Sequence, residues 1–209
     1  MTSRALRRAD AQRNHDRLLA AAETALNLHG ASASLDDIAK AAGVGNATLY
    51  RHFPTRAKLI EAVYDQRIRT LCTMAAELSQ AQEPAEALHE WLRAMVVHIT
   101  ESRVLAEAFT AAYDGLDGVE PPQVAAWHSA IYDAARPLLA AARSAGAIRP
   151  DLDLMELMAL TAAVARAGDP AQAGRFLDIL LEGITPRPAA EHAADPSNRR
   201  QMDQARRGD

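Results

Sequence analysis

The chain has 209 residues, of which 49% are apolar and only 4% aromatic, with one cysteine, Cys72. That is enough apolar material for a buried core; it excludes an intrachain disulfide, and the scarcity of aromatic and β-branched residues favours helix over sheet. The formal net charge of −4 hides an asymmetry, because residues 1–60 hold nine Lys+Arg against five Asp+Glu (+4) and the remainder 14 against 22 (−8).

A basic head on an acidic body predicts a polyanion partner at the head alone. An ordinary scatter of surface charge gives the same numbers, so the reading needs a motif. No apolar run is long enough to span a membrane, and the Arg-rich N-terminus lacks the apolar segment of a secretory signal. With a single cysteine, read as a small buried hydrophobe, the expected compartment is the cytoplasm.

Residues 1–12 are polar and contain Arg4, Arg7 and Arg8; they are expected to form a flexible arm that frays into the first helix. That helix is predicted over about 11–28, with Leu18, Leu19, Ala22, Ala25 and Leu26 on its inner face and Gly30 as its stop. Between Ser34 and Leu59 the chain reads SLDDIAKAAGVGNATLYRHFPTRAKL. Ile38, Ala39 and Ala42 give a short helix one apolar face. Ser34 with Asp37 makes a start resembling a capping box, and Gly43 ends the helix because that position favours positive φ. Asn46 is a candidate cap for a second short helix, which Pro54 breaks after Phe53. A small residue at Ala39, a glycine at Gly43 and an apolar anchor at Leu49 satisfy a helix-turn-helix, whose second helix enters a major groove.

This run resembles the DNA-binding segment of TetR/AcrR-family transcriptional regulators, densely from Ser34 to Val63 and more loosely back to Asn14. Two positions depart from the family pattern. Gly45 stands where the family prefers serine, which shifts the cap to Asn46 or weakens it, and Arg56 stands where lysine is usual. The resemblance implies a second, helical domain that binds a small effector and dimerises. Past about Leu71 it extends only to helical character and length. It also implies that Arg17 meets a phosphate.

Thr55 is expected to cap a long helix over about 56–78, running from the head into the body. Its stripe is Leu59, Ile60, Val63, Tyr64, Ile68, Leu71, Ala75 and Leu78. A helix over about 85–100 carries Leu88, Trp91, Leu92, Met95, Val96 and Ile99 on one face. A shorter one is predicted over about 103–113, before the loop DGLDGVEPP. The next, over about 123–144, has Pro137 inside it, which predicts a kink near Asp133. Two final helices, about 154–167 and 171–184, form a hairpin across residues 168–170. The tail after Pro186 has almost no large apolar residue and is expected to be disordered.

No catalytic or metal-ligating spacing is present, so neither an enzyme nor a cofactor is expected. At the head, Ser34, Tyr50, His52, Arg56 and Lys58 are expected on phosphates, with Asn46, Ala47, Thr48 and Arg51 facing base edges or nearby phosphates. In the body, Trp91, Met95, His98, Phe109, Tyr113, Trp127 and His128 read either as plain core or as the lining of an effector pocket. The mix of polar groups with large apolar ones favours the pocket. The wide stripes of the last two helices (Leu154, Leu157, Met158 and Thr161; Phe176, Leu177, Leu180 and Leu181) predict a homodimer through a four-helix bundle.

The expected fold class is therefore all-α, divided as arm 1–12, helix-turn-helix domain 13–58, effector-binding and dimerisation domain 59–185, and tail 186–209. The expected function is a DNA-binding regulator, a repressor that a small molecule releases from a palindromic operator on double-stranded DNA. The alternatives are an architectural DNA-binding protein without an effector, and a helical enzyme with an incidental helix-turn-helix.

Overall fold

The computed structural model describes residues 3–112 and 122–186. Among the described residues all regular structure is helical. The elements are α1 (Ser3–His29), a 3-10 turn (Gly30–Ser32), α2 (Leu35–Ala41), α3 (Asn46–His52), α4 (Arg56–Ala81), α5 (Pro84–Ala112), α6 (Pro122–Ser144), α7 (Leu154–Arg166) and α8 (Pro170–Ile184). No described helix is long and apolar enough to cross a membrane. The tail expectation for 187–209 lies outside the described residues.

Local chemistry sets most boundaries. Ser34 caps α2 by accepting from the Asp37 N–H at 3.3 Å. At its other end Gly43 takes φ +66, the Val44 N–H reaches the Ala39 carbonyl at 3.0 Å, and the Gly43 N–H reaches Lys40 at 3.0 Å. These are the paired bonds that close a helix through a left-handed glycine. Thr55 caps α4 by accepting from Lys58 N–H at 3.2 Å. The α7–α8 hairpin carries a full capping box at each helix start, Asp153 with Glu156 and Asp169 with Gln172. Between them Gly168 sits at φ +102, a conformation that L side chains rarely adopt, which favours glycine there.

Three expectations change. Residues 3–12 continue α1 as helix rather than forming a separate arm. The two helices expected over 85–113 are one, α5. Ser102, in the stretch expected between them, is buried and accepts from Arg67 of α4. Asn46 does not cap α3. Gly45 holds the cap position with no side-chain bond, and the Asn46 amide donates to Asp36 Oδ1 at 2.7 Å, tying α3 back to α2. Pro137 is exposed and α6 runs through it as one helix.

Leu18, Ala22, Leu26, Ile38, Leu49 and Phe53 form the core of the head; Leu59, Ile60 and Val63 of α4 close it from below. The same hydrophobic cluster continues through Leu71, Trp91, Leu92, Met95, Leu138 and Leu177. Alpha4 lies against α1, α5 and α6, while α7 and α8 pack on α5. Cys72 is half-buried with its thiol donating to the Ala130 carbonyl, and burial raises its pKa, as suits a packing residue rather than a reactive one.

Candidate functional site

The short α3 stands on the head with Leu49 as its anchor, 1% exposed, while Asn46, Ala47, Tyr50 and Arg51 face outward. Tyr50 is 49% exposed, so it is not the core-edge aromatic that its type alone suggests. Arg51 reaches back to the Thr48 hydroxyl at 3.4 Å, a long bond that leaves its fork easily redirected. Arg17, Ser34 and Lys58 are exposed on the surrounding surface. Arg17 donates to Asn14, and Lys58 pairs with Glu61 at 2.6 Å. These exposed groups stand on α1, at the cap of α2 and in the first turn of α4.

Two of the expected phosphate ligands are more involved in structure than their residue types suggest. The guanidinium of Arg56 donates to the Ala33 carbonyl and so braces the start of α4 against the segment leading into α2. His52 leans toward α1, with ring centroids 5.8 Å from His15 and 6.2 Å from Phe53, and His15 lies 5.0 Å from Phe53. Burial first, then the neighbouring His15 and Arg51 charges, lower the His52 pKa. Its ring thus also packs between α3 and α1.

In the body the expected effector residues separate. Trp91 is fully buried, and its indole N–H donates to the Leu71 carbonyl at 3.0 Å; it is core. Met95 is also buried, at 1% exposure. His128 is exposed, one helical step round from the buried Trp127. The expectations for Phe109 and Tyr113 fall on side chains outside the described residues. His98 and Trp127 do meet, and they meet through Tyr64, which is 4.4 Å from Trp127 and 5.3 Å edge-on from His98, centroid to centroid. Trp127 donates its indole N–H to Asp65 Oδ1 at 3.1 Å, and Asp65 also pairs with Arg69. A separate groove of about 560 Å³ lies between α6 and the start of α7, lined by Tyr132, Asp133, Arg136 and Met155. None of the expected effector residues lines it.

Beneath the aromatic group lies a buried polar hub that sequence reasoning missed. Arg67, 8% exposed, donates through Nε to Glu23 Oε1 at 2.8 Å, through Nη2 to Asn27 Oδ1 at 2.6 Å and through Nη1 to Ser102 Oγ at 3.0 Å. Ser102 in turn lies 3.4 Å from His98 Nδ1. One side chain of α4 thus joins α1 of the head to α5 of the body. A signal was present: Arg67 sits four residues from both Val63 and Leu71, on the apolar stripe where a charge needs partners.

Because Glu23 is 44% exposed and rehydrates easily, losing Arg67 costs less than breaking a fully enclosed pair. Arg67→Met is expected to lower stability by about 2 kcal/mol. Arg67→Lys is expected to recover only part of this, since an ammonium lacks the planar fork that meets three acceptors. Denaturant midpoints check both, and a wild-type midpoint in Arg67→Lys would show that the fork geometry is unimportant.

The expected dimer residues also separate. Leu157, Thr161, Leu177 and Leu181 are at most 3% exposed and Met158 is 8% exposed, because α7 and α8 pack on α5 of the same protomer. They are not available to a second copy. Leu154 and Leu180 are half-buried. Of the expected set Phe176 is exposed (40%), and the outer surface of the hairpin also exposes Met155 (61%), Leu160 (41%) and Ile179 (64%). The amphipathic pattern found the apolar stripes of both helices but not which of their positions face outward.

A three-helix head with an outward helix-turn-helix, joined by a long helix to a helical body, defines a helical DNA-binding regulator. Residues 18–63 match bacterial regulatory proteins of the tetR family, and residues 83–186 match the C-terminal domain of SbtR-like transcriptional regulators. A TetR transcriptional regulator of Streptomyces coelicolor is 37% identical, with a TM-score of 0.71, covering 83% of this chain and 99% of that one. A TetR regulatory protein of Mycobacterium vanbaalenii is 32% identical, also at 0.71, covering 86% of this chain and 99% of that one. The regulator LfrR of Mycobacterium smegmatis, solved in complex with proflavine, shares the fold at 22% identity, with a TM-score of 0.58 and coverage of 84% and 98%. An HTH-type transcriptional regulator of Mycobacterium tuberculosis is 33% identical over 105 residues, which are 49% of this chain and 52% of that relative. The match thus spans about half the length of the curated relatives. The chain belongs to the TetR family of transcriptional regulators.

Proposed function

We propose that the protein is a homodimeric transcriptional repressor that holds a palindromic DNA operator and lets go when a small molecule enters its body. The observation that carries the DNA half is the exposed α3 with Ala47, Tyr50 and Arg51 outward, together with exposed Arg17 on α1, Ser34 at the α2 cap and Lys58 on α4. In this reading Asn46, Ala47, Thr48 and Arg51 meet base edges or nearby phosphates, and Ser34, Tyr50 and Lys58 fix the register on the backbone. Arg56 and His52 support that surface from behind.

The effector half is supported by the Tyr64–His98–Trp127 group, which joins α4, α5 and α6 around a buried polar atom. The complex of LfrR with proflavine gives a precedent for a small ligand on this fold. The exposed Met155, Leu160, Phe176 and Ile179 support a pairing surface on α7 and α8. Two heads about 34–36 Å apart would then read successive major grooves.

Fluorescence anisotropy against duplexes selected from random sequence tests the DNA half. Arg51→Ala is expected to weaken operator binding and to lower the slope of log K against log salt by about one, since one cation no longer displaces a counterion. Tyr50→Phe is expected to weaken binding at an unchanged slope, because a phenol carries no charge. An Arg51→Ala protein with the wild-type affinity and slope would take that residue out of the interface. Failure of the wild-type chain to bind any duplex in a salt-dependent way would end the reading.

A further inference from the structure

Among the described residues, three side chains cover a polar nitrogen without giving it a partner: His89, His98 and Arg143. His89 and Arg143 are only half-buried, but His98 is 7% exposed and its Nε2 is sealed beside Tyr64. An unmatched buried nitrogen of this kind is costly, and native structures keep few of them without a use. Its protonation follows from its neighbours. Arg67 Nη1 is a pure donor and occupies a lone pair of Ser102 Oγ. The Ser102 hydroxyl can then place its proton toward His98 Nδ1, 3.4 Å away. Burial and the Arg67 charge lower the His98 pKa to about 4, so the ring is neutral. A neutral imidazole that accepts at Nδ1 carries its proton on Nε2. In that arrangement the orphan atom is an N–H donor in want of an acceptor.

We propose that His98 Nε2–H is the polar anchor of the effector site, and that the effector is an uncharged, largely apolar molecule presenting a carbonyl or ether oxygen to it. This rests on the effector-responsive reading above and specifies its ligand. Tyr64 and Trp127 supply flat apolar faces on one side and Met95 lies on the same helix as His98. Among the described residues, Glu23 is committed to Arg67 and Asp65 to Arg69 and Trp127, so neither is a free counter-charge for a cationic ligand beside Arg67. An oxygen that binds Nε2–H also polarises the chain behind it. Through Ser102 that chain ends on Arg67, which grips Glu23 and Asn27 of the head. Entry requires the Tyr64–Trp127 pair to part, and both Tyr64 and the Trp127 acceptor Asp65 belong to α4.

The test uses the full-length protein and two tricyclic probes of one shape, 9-fluorenone, which has a carbonyl acceptor, and fluorene, which has none. Binding is read by tryptophan fluorescence. The wild-type protein is expected to prefer fluorenone by about ten-fold, the worth of one hydrogen bond to a buried donor. His98→Phe is expected to erase the preference, and His98→Gln, whose amide keeps a donor, to retain part of it. Ring 15N NMR of the wild-type protein is expected to show Nε2 protonated before ligand is added and shifted by fluorenone alone; this decides the matter if His98→Phe fails to fold. Equal affinity for the two probes, no binding of either, a preference that survives His98→Phe, or an Nδ1-protonated ring overturns the proposal. Fluorene releasing the operator as well as fluorenone does would overturn it while leaving the ligand-released regulator intact. Absence of operator binding would instead remove that broader reading.

Discussion

A Phe176→Glu, Ile179→Glu double variant is expected to sediment as a monomer and to lose about a hundred-fold or more in affinity for a palindromic operator. Both side chains are exposed on α8 and neither holds the protomer together, so the variant should keep the wild-type helical signal. The loss follows from linkage: two heads on one dimer bind the second half-site as an intramolecular event, and a monomer cannot. Leu177→Glu serves as the contrast. Leu177 is 1% exposed inside its own protomer, so a buried carboxylate there is expected to unfold the body rather than divide a dimer. Sedimentation with circular dichroism separates the outcomes. A double variant that remains dimeric would move the pairing surface away from α8.

The second large effect is expected in acid. His98 titrates at about 4 in the folded protein against an ordinary 6.5, so the folded state binds fewer protons than the unfolded chain over that interval. Its contribution to stability is whole above about pH 6.5, declines as pH falls, and is spent below about 4. The integrated loss is about 3 kcal/mol. Protonation would set an imidazolium beside the Arg67 guanidinium, with Ser102 and the Tyr64 ring as its other close neighbours. His52 and His89 also have lowered values and add loss of the same sign, so the measurement is the difference between wild type and His98→Phe from pH 7 to 4. Chemical denaturation at each pH should show a steeper decline in the wild type. Parallel curves would mean that protonated His98 is accommodated without cost.

The head was legible because helix-turn-helix geometry is written in single residues. Gly43 must take a left-handed φ, Ala39 must be small and Leu49 must be apolar, and each constraint leaves a mark at a fixed spacing. Asn46 misled because a capping residue type says nothing about a competitor; Asp36, ten residues earlier, takes its amide. In the body the same reasoning found helices and stripes but not their partners. A stripe reports that a face is apolar, and it does not report whether the face meets the same chain or another, which is why Leu157 and Leu177 were read outward. Arg67 sits on the apolar stripe of α4, but its partners Glu23, Asn27 and Ser102 lie far off in sequence, so spacing alone does not pair them. The capping boxes at Asp153 and Asp169 were readable from spacing alone and went unused.

The continuity of α5 changes what the head can do. Alpha4 runs directly out of the helix-turn-helix, and α5 also reaches the head, packing against α1 and the Gly30–Ser32 turn. Two stiff rods ending on one small block behave as a parallel linkage: when one slides along the other, the block tilts instead of bending. In the proposed ligand-released regulator, a slip of α4 along α5 would therefore be expected to tilt the recognition helix. Spin labels on the two α3 helices of a dimer should then change their separation on ligand entry, while label pairs within a single head keep theirs.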